Sequence, residues 1–299
     1  MSWVYFVILA TFAWSITNVM DKFLVEKKVG RPLMLAILIR SLSLIPLLLI
    51  LPFVGFSFPS IEFTGWIMLA GVFAAGGVII FYKAIKIGEV SRTIPLFQFI
   101  PVFVLFLSFF LIGEVLGFSD YVGFVILVLG GLVISAKNIS KVFRVEKVFW
   151  LVVVSSFLHA ISYVIMKHVL SNIEYWNAFI VFWAFQGMII LSLLGLPSIR
   201  KQAKFYMKAL ALRDKTVILL DSAISILAFI FNYFAISLGP VTLVEAAGNI
   251  QLVFIFLLAL FLTKFFPNVL EERFDRGAVM QKATGTALII MGVLLTQLF

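Results

Sequence analysis

The sequence predicts an all-α integral membrane protein, with ten transmembrane helices laid out as two inverted five-helix repeats. Three observations carry that prediction. The 299 residues are 63% hydrophobic and only 12% charged, with a mean hydropathy of +1.18, whereas a soluble domain is about 45–50% apolar and about 25% charged. The apolar residues gather into runs close to the roughly 20 residues a helix needs to cross a bilayer. The third observation is that the two halves of the chain repeat one another.

The runs are 3–24, 32–51, 64–85, 93–112, 119–136, 148–170, 176–196, 216–238, 241–263 and 282–298. The first has no basic stretch before it, so a spanning segment is expected there rather than a cleaved signal peptide. Gly30-Arg31-Pro32 separates the first two runs, and the stretch from Pro52 to Pro59 the next pair. Gly88-Glu89, Gly113-Glu114, Gly239-Pro240 and the polar stretch after Pro267 mark later connections. In each, glycine admits positive φ or proline removes a backbone donor. Wound as a helix, the segment between the seventh and eighth runs puts Lys201, Lys204 and Lys208 on one side. Phe205, Ala209 and Leu212 fall on the neighbouring side, so both a surface helix on an anionic leaflet and a solvated loop fit it. No sustained polar–apolar alternation suggests a membrane barrel.

The repeat has three registers. Tyr82–Pro101 aligns with Tyr233–Leu252 at a shift of 151, so that Gly88 meets Gly239, Gln98 meets Asn249 and Ile94 meets Glu245. Phe12–Val25 aligns with Phe157–Leu170 at a shift of 145, pairing Lys22 with Lys167. Gly123 and Gly130 correspond to Gly285 and Gly292, each pair seven apart and so on one helix face, where small residues let helices approach closely. The halves are taken as residues 1–140 and 145–299. An odd number of crossings per half inverts the second relative to the first, a common plan of secondary transporters.

Loop charge predicts the orientation. Lys27, Lys28, Arg31, Lys83, Lys86, Arg92, Lys137, Lys141, Arg144 and Lys147 all fall on one face, with the basic cluster between Arg200 and Lys215. By the positive-inside rule this face is cytoplasmic and both termini lie outside, in a plasma (inner) membrane. The net charge of +9 forms no continuous stripe, which argues against a nucleic-acid partner.

These features resemble the EamA family of the drug/metabolite transporter superfamily. The matching residues are Phe12-Ala13-Trp14 with Lys22, the Tyr-x-Ala-Ile-x-x-Gly of Tyr82–Gly88 ahead of a proline-bearing helix, and Gly113-Glu114 before a glycine-containing fifth helix. The second half departs from the pattern, with Lys264-Phe265 where the family carries another Gly-Glu, and Leu252 opposite Pro101. The resemblance implies a transporter with both termini in the cytoplasm, the reverse of what the loop charge predicts.

Charged and polar groups inside the runs are the candidate site, because a charge at the bilayer centre costs at least about 2.5–3.5 kcal/mol. Lys22 and Lys167 either snorkel to the headgroups or line a cavity. Arg40 lies too deep in the second run to snorkel and could hold an anionic group; Asp21 and Glu245 are its conceivable partners. Gln98 and Asn249 are aligned amides that could bond a solute or each other, and Tyr82, Tyr163, Asn232 and Tyr233 offer further contacts. Glu245, with Asp221 second, is the candidate for carrying a coupling proton; a carboxylate favoured by the helix dipole is the other reading. Pro95 and Pro101 mark a hinge or a static kink in the fourth segment.

No enzyme is expected. HExxH and P-loop motifs are absent, there are no cysteines, and His159 and His168 stand nine apart, out of register for a metal site. No cofactor is expected either. The partners expected are a small-molecule substrate, the lipid bilayer and a coupling proton, with the chain a monomer or homodimer. The function expected is export or exchange of a small metabolite, an amino acid or related compound, by alternating access. The alternatives are a proton-coupled multidrug or cation exporter and an exchanger of nucleotide sugars or phosphorylated metabolites.

Overall fold

Hydrocarbon offers no partner to a backbone N–H or C=O, so apolar runs of this kind satisfy their own backbone by coiling into helices. The computed structural model describes residues 2–24, 28–87, 99–142, 146–265 and 276–298, and every regular element in them is helical. In chain order these are α1 (Ser2–Leu24), α2 (Pro32–Ile50), α3 (Ile61–Ile87), α4 (Phe99–Ile112), α5 (Phe118–Val142) and α6 (Glu146–Leu170). Then come α7 (Tyr175–Ser192), α8 (Pro197–Ala209), α9 (Leu212–Leu238), α10 (Val241–Ala247), α11 (Ile250–Phe265) and α12 (Arg276–Leu298). Among the described residues, eight stretches are long and apolar enough to cross a membrane: α1, α2, α3, α6, α7, α9, α12 and the stretch Val241–Phe261. Phe99–Ile112 and Phe118–Ile134 are apolar but shorter. The protein is therefore a multi-pass membrane protein, with only helices as regular elements among the described residues.

The turn signals act as their chemistry dictates. Gly30 and Gly113 take positive φ, 62° and 68°, where side-chain-bearing residues are strained. Pro32 opens α2 at a position where its missing N–H has no intrahelical partner to lose.

Two segments depart from a simple reading. The connection between the seventh and eighth runs is a helix, α8, packed on the bundle. Ile199, Ala203 and Tyr206, spaced four and three apart, lean against the cluster around Leu24, Met34 and Leu38, while Lys201, Lys204, Phe205 and Lys208 stay exposed. Lys28 and Asp214, 2.9 Å apart, tie the ends of the two neighbouring connections together. The ninth run is two helices, α10 and α11, interrupted at Gly248-Asn249. There the backbone bonds tighten, Asn249 N–H to Ala246 O at 3.2 Å and Gln251 N–H to Gly248 O at 3.0 Å, the i→i−3 spacing of a 3₁₀ turn.

Helices of residues 2–142 pack on helices of residues 146–298. α1 lies against α9 and α11, α3 against α6 and α7, α4 against α6, and α2 against α7 and α9. The tightest seam is α5 on α12. A Cβ added at Gly130 would stand 3.0 Å from Gly285 O, and one at Gly285 only 2.8 Å from Gly130 O. Gly123 and Gly292 face each other in the same way, at 3.1 Å in both directions.

Candidate functional site

A cavity of about 300 Å³ opens between α1, α2, α3, α4, α6, α9 and the α10–α11 break. Burying polar side chains at this depth is costly unless they are bonded or do something, and this cavity holds an unusual number of them. Arg40, Asp21, Asp221, Glu245, Asn18, Asn249, Gln251, His159, Tyr82 and Tyr163 all line it, among Trp14, Phe81, Phe229 and Pro101. The lining residues of α1 and α3 lie toward their C-terminal ends and Asp221 in the first half of α9, so the cavity sits toward the face that carries the basic connections.

Arg40 is 7% exposed. Its guanidinium stacks over Trp183 at 4.1 Å and faces Phe229 at 5.2 Å, yet its Nη1 makes no hydrogen bond. None of the cavity carboxylates is ion-paired with it among the described residues. Two ring faces attract a cation but leave its N–H donors unused. Glu245 accepts a hydrogen bond from Asn232 Nδ2 at 3.2 Å. Asn249 sits at the helix break, spending its Nδ2 on Leu127 O at 3.0 Å, with its side-chain oxygen left for other partners. His159 Nδ1 lies 2.8 Å from Ser155 O, beside Gly77, where a Cβ would fall 2.5 Å from the ring.

Beyond Tyr163 and Tyr233 the bundle is packed with aromatic rings. Tyr233, 1% exposed, meets Tyr163 at 5.9 Å, Phe182 at 5.0 Å and Phe179 at 6.1 Å between centroids. On that side the Glu114 carboxylate accepts the Val241 N–H at 2.9 Å, the Thr242 N–H at 3.1 Å and the Thr242 hydroxyl at 2.6 Å. A negative charge there satisfies orphan donors at the N-terminus of α10. Ser108 Oγ lies 2.8 Å from the same hydroxyl. Glu114→Gln removes the charge and one acceptor; charge-assisted bonds contribute about 1.5–3 kcal/mol each. We expect that variant to melt at a lower temperature than the parent in detergent, and an unchanged melting temperature would show that the cap contributes nothing to the fold.

The sequence-derived candidates separate accordingly. Arg40, Tyr82, Tyr163, Asn249 and Glu245 meet in the cavity. Asn232 is buried behind it against Glu245, and Tyr233 belongs to the aromatic layer. Lys167 lies outside the cavity lining, donating to Ile236 O and Gly239 O, both at 2.8 Å, at the C-terminus of α9, where carbonyls lack partners. Pro101 lies near the start of the described part of α4 and lines the cavity. Pro95, Gln98 and the side chain of Lys22 lie outside the described residues. Sequence reasoning missed Glu114 as a cap, Asp21 as a lining group in its own right, and the Gly248-Asn249 break. A Gly-Asn pair inside an apolar run was the available signal for the last.

Residues 1–136 match the model of the EamA-like transporter family, part of the drug/metabolite transporter superfamily. A search of curated proteins finds no match. Among 28 matching solved chains, one titled only "Crystal structure of protein" is 15% identical, with a TM-score of 0.72. The alignment covers 100% of this chain and 99% of that one. The likeness is one of fold, and it extends past the family match to the whole chain.

Proposed function

From the match of its first 136 residues to the EamA-like transporter family, we propose that this protein is a membrane transporter of the drug/metabolite type that exports or exchanges a small metabolite, an amino acid or related compound. It does so as a secondary transporter working by alternating access. The observation that carries the reading is Arg40, a buried guanidinium with an unused donor facing a central cavity. Its planar fork is matched to a carboxylate, and the surrounding amides and hydroxyls supply uncharged contacts. One guanidinium is little for a diphosphate, which places nucleotide sugars behind amino acids. Glu245 in the same lining is what favours the second reading, a proton-coupled cation exporter.

The layout proposed is ten spans in two inverted halves, counting α4, α5 and the α10–α11 pair as one span each. Packing supports it. Exchanging the halves turns the α3–α6 contact into α9–α1, α4–α6 into α11–α1, and α3–α7 into α9–α2, all of which occur. The α5–α12 seam maps onto itself, with Gly123 opposite Gly292 and Gly130 opposite Gly285. Loop charge orients the basic face to the cytoplasm and both termini outward, so the cavity corresponds to an inward-facing state. The break at Gly248-Asn249 gives the second half a bending point, while the Pro95–Pro101 hinge remains the counterpart proposed for the first.

Counterflow in proteoliposomes tests the function: vesicles preloaded with unlabelled amino acids are expected to accumulate labelled amino acid saturably. Conductive, non-saturating flux would sink the reading, and uptake of lipophilic cations alone would put the second in its place. In intact cells a single cysteine at Ser140 should be closed to an impermeant thiol reagent applied from outside, and labelling there would reverse the orientation.

A further inference from the structure

Two carboxylates in the cavity are not explained by the contacts that hold the fold. Asp21 on α1 and Asp221 on α9 face the same space across one of the main helix pairings of the bundle. Asp221 is 1% exposed, and Oδ1 of each residue is buried with no hydrogen-bond partner. Neither is ion-paired with a described lysine or arginine. Thr17 and Asn18, a turn before Asp21, and Ser225, a turn after Asp221, line the same part of the cavity, so this end of it is rich in oxygen acceptors. Two carboxylates held together away from water repel each other, and each loses hydration that nothing replaces. A cation seated between them would relieve both costs. Glu245 is a weaker claimant because Asn232 already donates to it. Arg40 stays apart, stacked on Trp183 and Phe229, with Tyr82 lining the same cavity.

We infer that Asp21 and Asp221 together form a cation site that takes the ammonium end of the solute. This rests on the reading above, in which Arg40 takes the anionic end. An ammonium group brings three donors to oxygens that lack them. The cavity then selects a zwitterion by holding its two charges on different helices, the acids on α1 and α9 and the base on α2.

Three probes with one side chain separate the two ends: leucine, its des-amino analogue 4-methylpentanoate and its decarboxylated analogue isoamylamine. The last two cross bilayers unaided, so the measurement is calorimetric binding to the purified full chain in detergent. The parent protein should bind leucine at least about tenfold tighter than 4-methylpentanoate, and isoamylamine should compete with leucine. Asp21→Asn and Asp221→Asn should each remove most of that tenfold preference and the isoamylamine binding, with 4-methylpentanoate bound at least as tightly as by the parent. Asp221→Glu, which keeps the charge, should restore part of the preference and guards against a folding defect. Isoamylamine failing to bind the parent overturns the inference, and so does an unchanged leucine preference in both Asn variants. Leucine affinity that depends on added sodium, with no amine binding, would assign the pair to a free alkali ion instead. If isoamylamine binds through the two acids while Arg40→Ala leaves leucine binding untouched, the cation site stands and the assignment of Arg40 falls.

Discussion

Replacing Arg40 with alanine is expected to lower amino-acid counterflow by about 100-fold or more while leaving the folded protein as stable as the parent, or more so. Truncating one partner of a desolvated charge pair costs about 2–5 kcal/mol, and every 1.4 kcal/mol is about tenfold. In most buried ion pairs that loss also appears in stability, because the surviving charge is stranded. Here no protein carboxylate is bonded to the guanidinium and its Nη1 is unsatisfied, so removing it strands nothing inside the protein. What is lost is the stacking on Trp183 and Phe229, set against relief of an uncompensated buried charge. Arg40→Lys keeps the charge but not the planar fork, and should fall between the two. Uptake into proteoliposomes and thermal unfolding in detergent check the two halves of the prediction. A variant that unfolds while the surviving fraction transports normally would make Arg40 a structural residue.

Gly130→Val and Gly285→Val are expected to have the largest effects on stability. The added Cβ meets backbone in both cases: Gly285 O and Ile289 N at 3.0 Å for the first, Gly130 O at 2.8 Å and Ile134 N at 3.0 Å for the second. Side chains can turn aside but helix backbones cannot, so α5 and α12 must separate. Overpacking costs about 1–3 kcal/mol, and a backbone-on-backbone clash belongs at the upper end. The double variant should cost less than the sum, since one separation accommodates both. Gly65→Ala is the control, because that position has open space around it and alanine is the better helix former by about 1 kcal/mol. Thermal denaturation of the four variants beside the parent in detergent settles the order; a Gly130→Val protein that melts with the parent would refute the close seam.

The glycine seam and Arg40 are both announced by local sequence. Glycines seven apart, repeated in both halves, already predicted a close helix contact from the sequence, because the period of a helix puts them on one face. Arg40 was legible as well, because its depth in an apolar run leaves no route to water. The role of Glu114 was not. Its carboxylate serves donors at Val241 and Thr242, far along the chain, and no local pattern announces which helix start lies beside which connection. Lys167 shows the same limit from the other side. Its alignment with Lys22 suggested the cavity, and folding instead set its ammonium on the carbonyls of Ile236 and Gly239.

By itself the sequence determined the medium, the helical class and the turns, since each follows from a local rule. Hydrocarbon forces apolar runs to satisfy their own backbone, and Gly30 and Gly113 end them where positive φ is needed. Only the tertiary structure decided the cavity. Asp21, Arg40, Asp221, Glu245 and Asn249 come from four helices and a helix break. They share one space because α1 packs on α9 and α11, and α2 on α9, a choice made by side-chain fit between elements that all look alike to hydropathy.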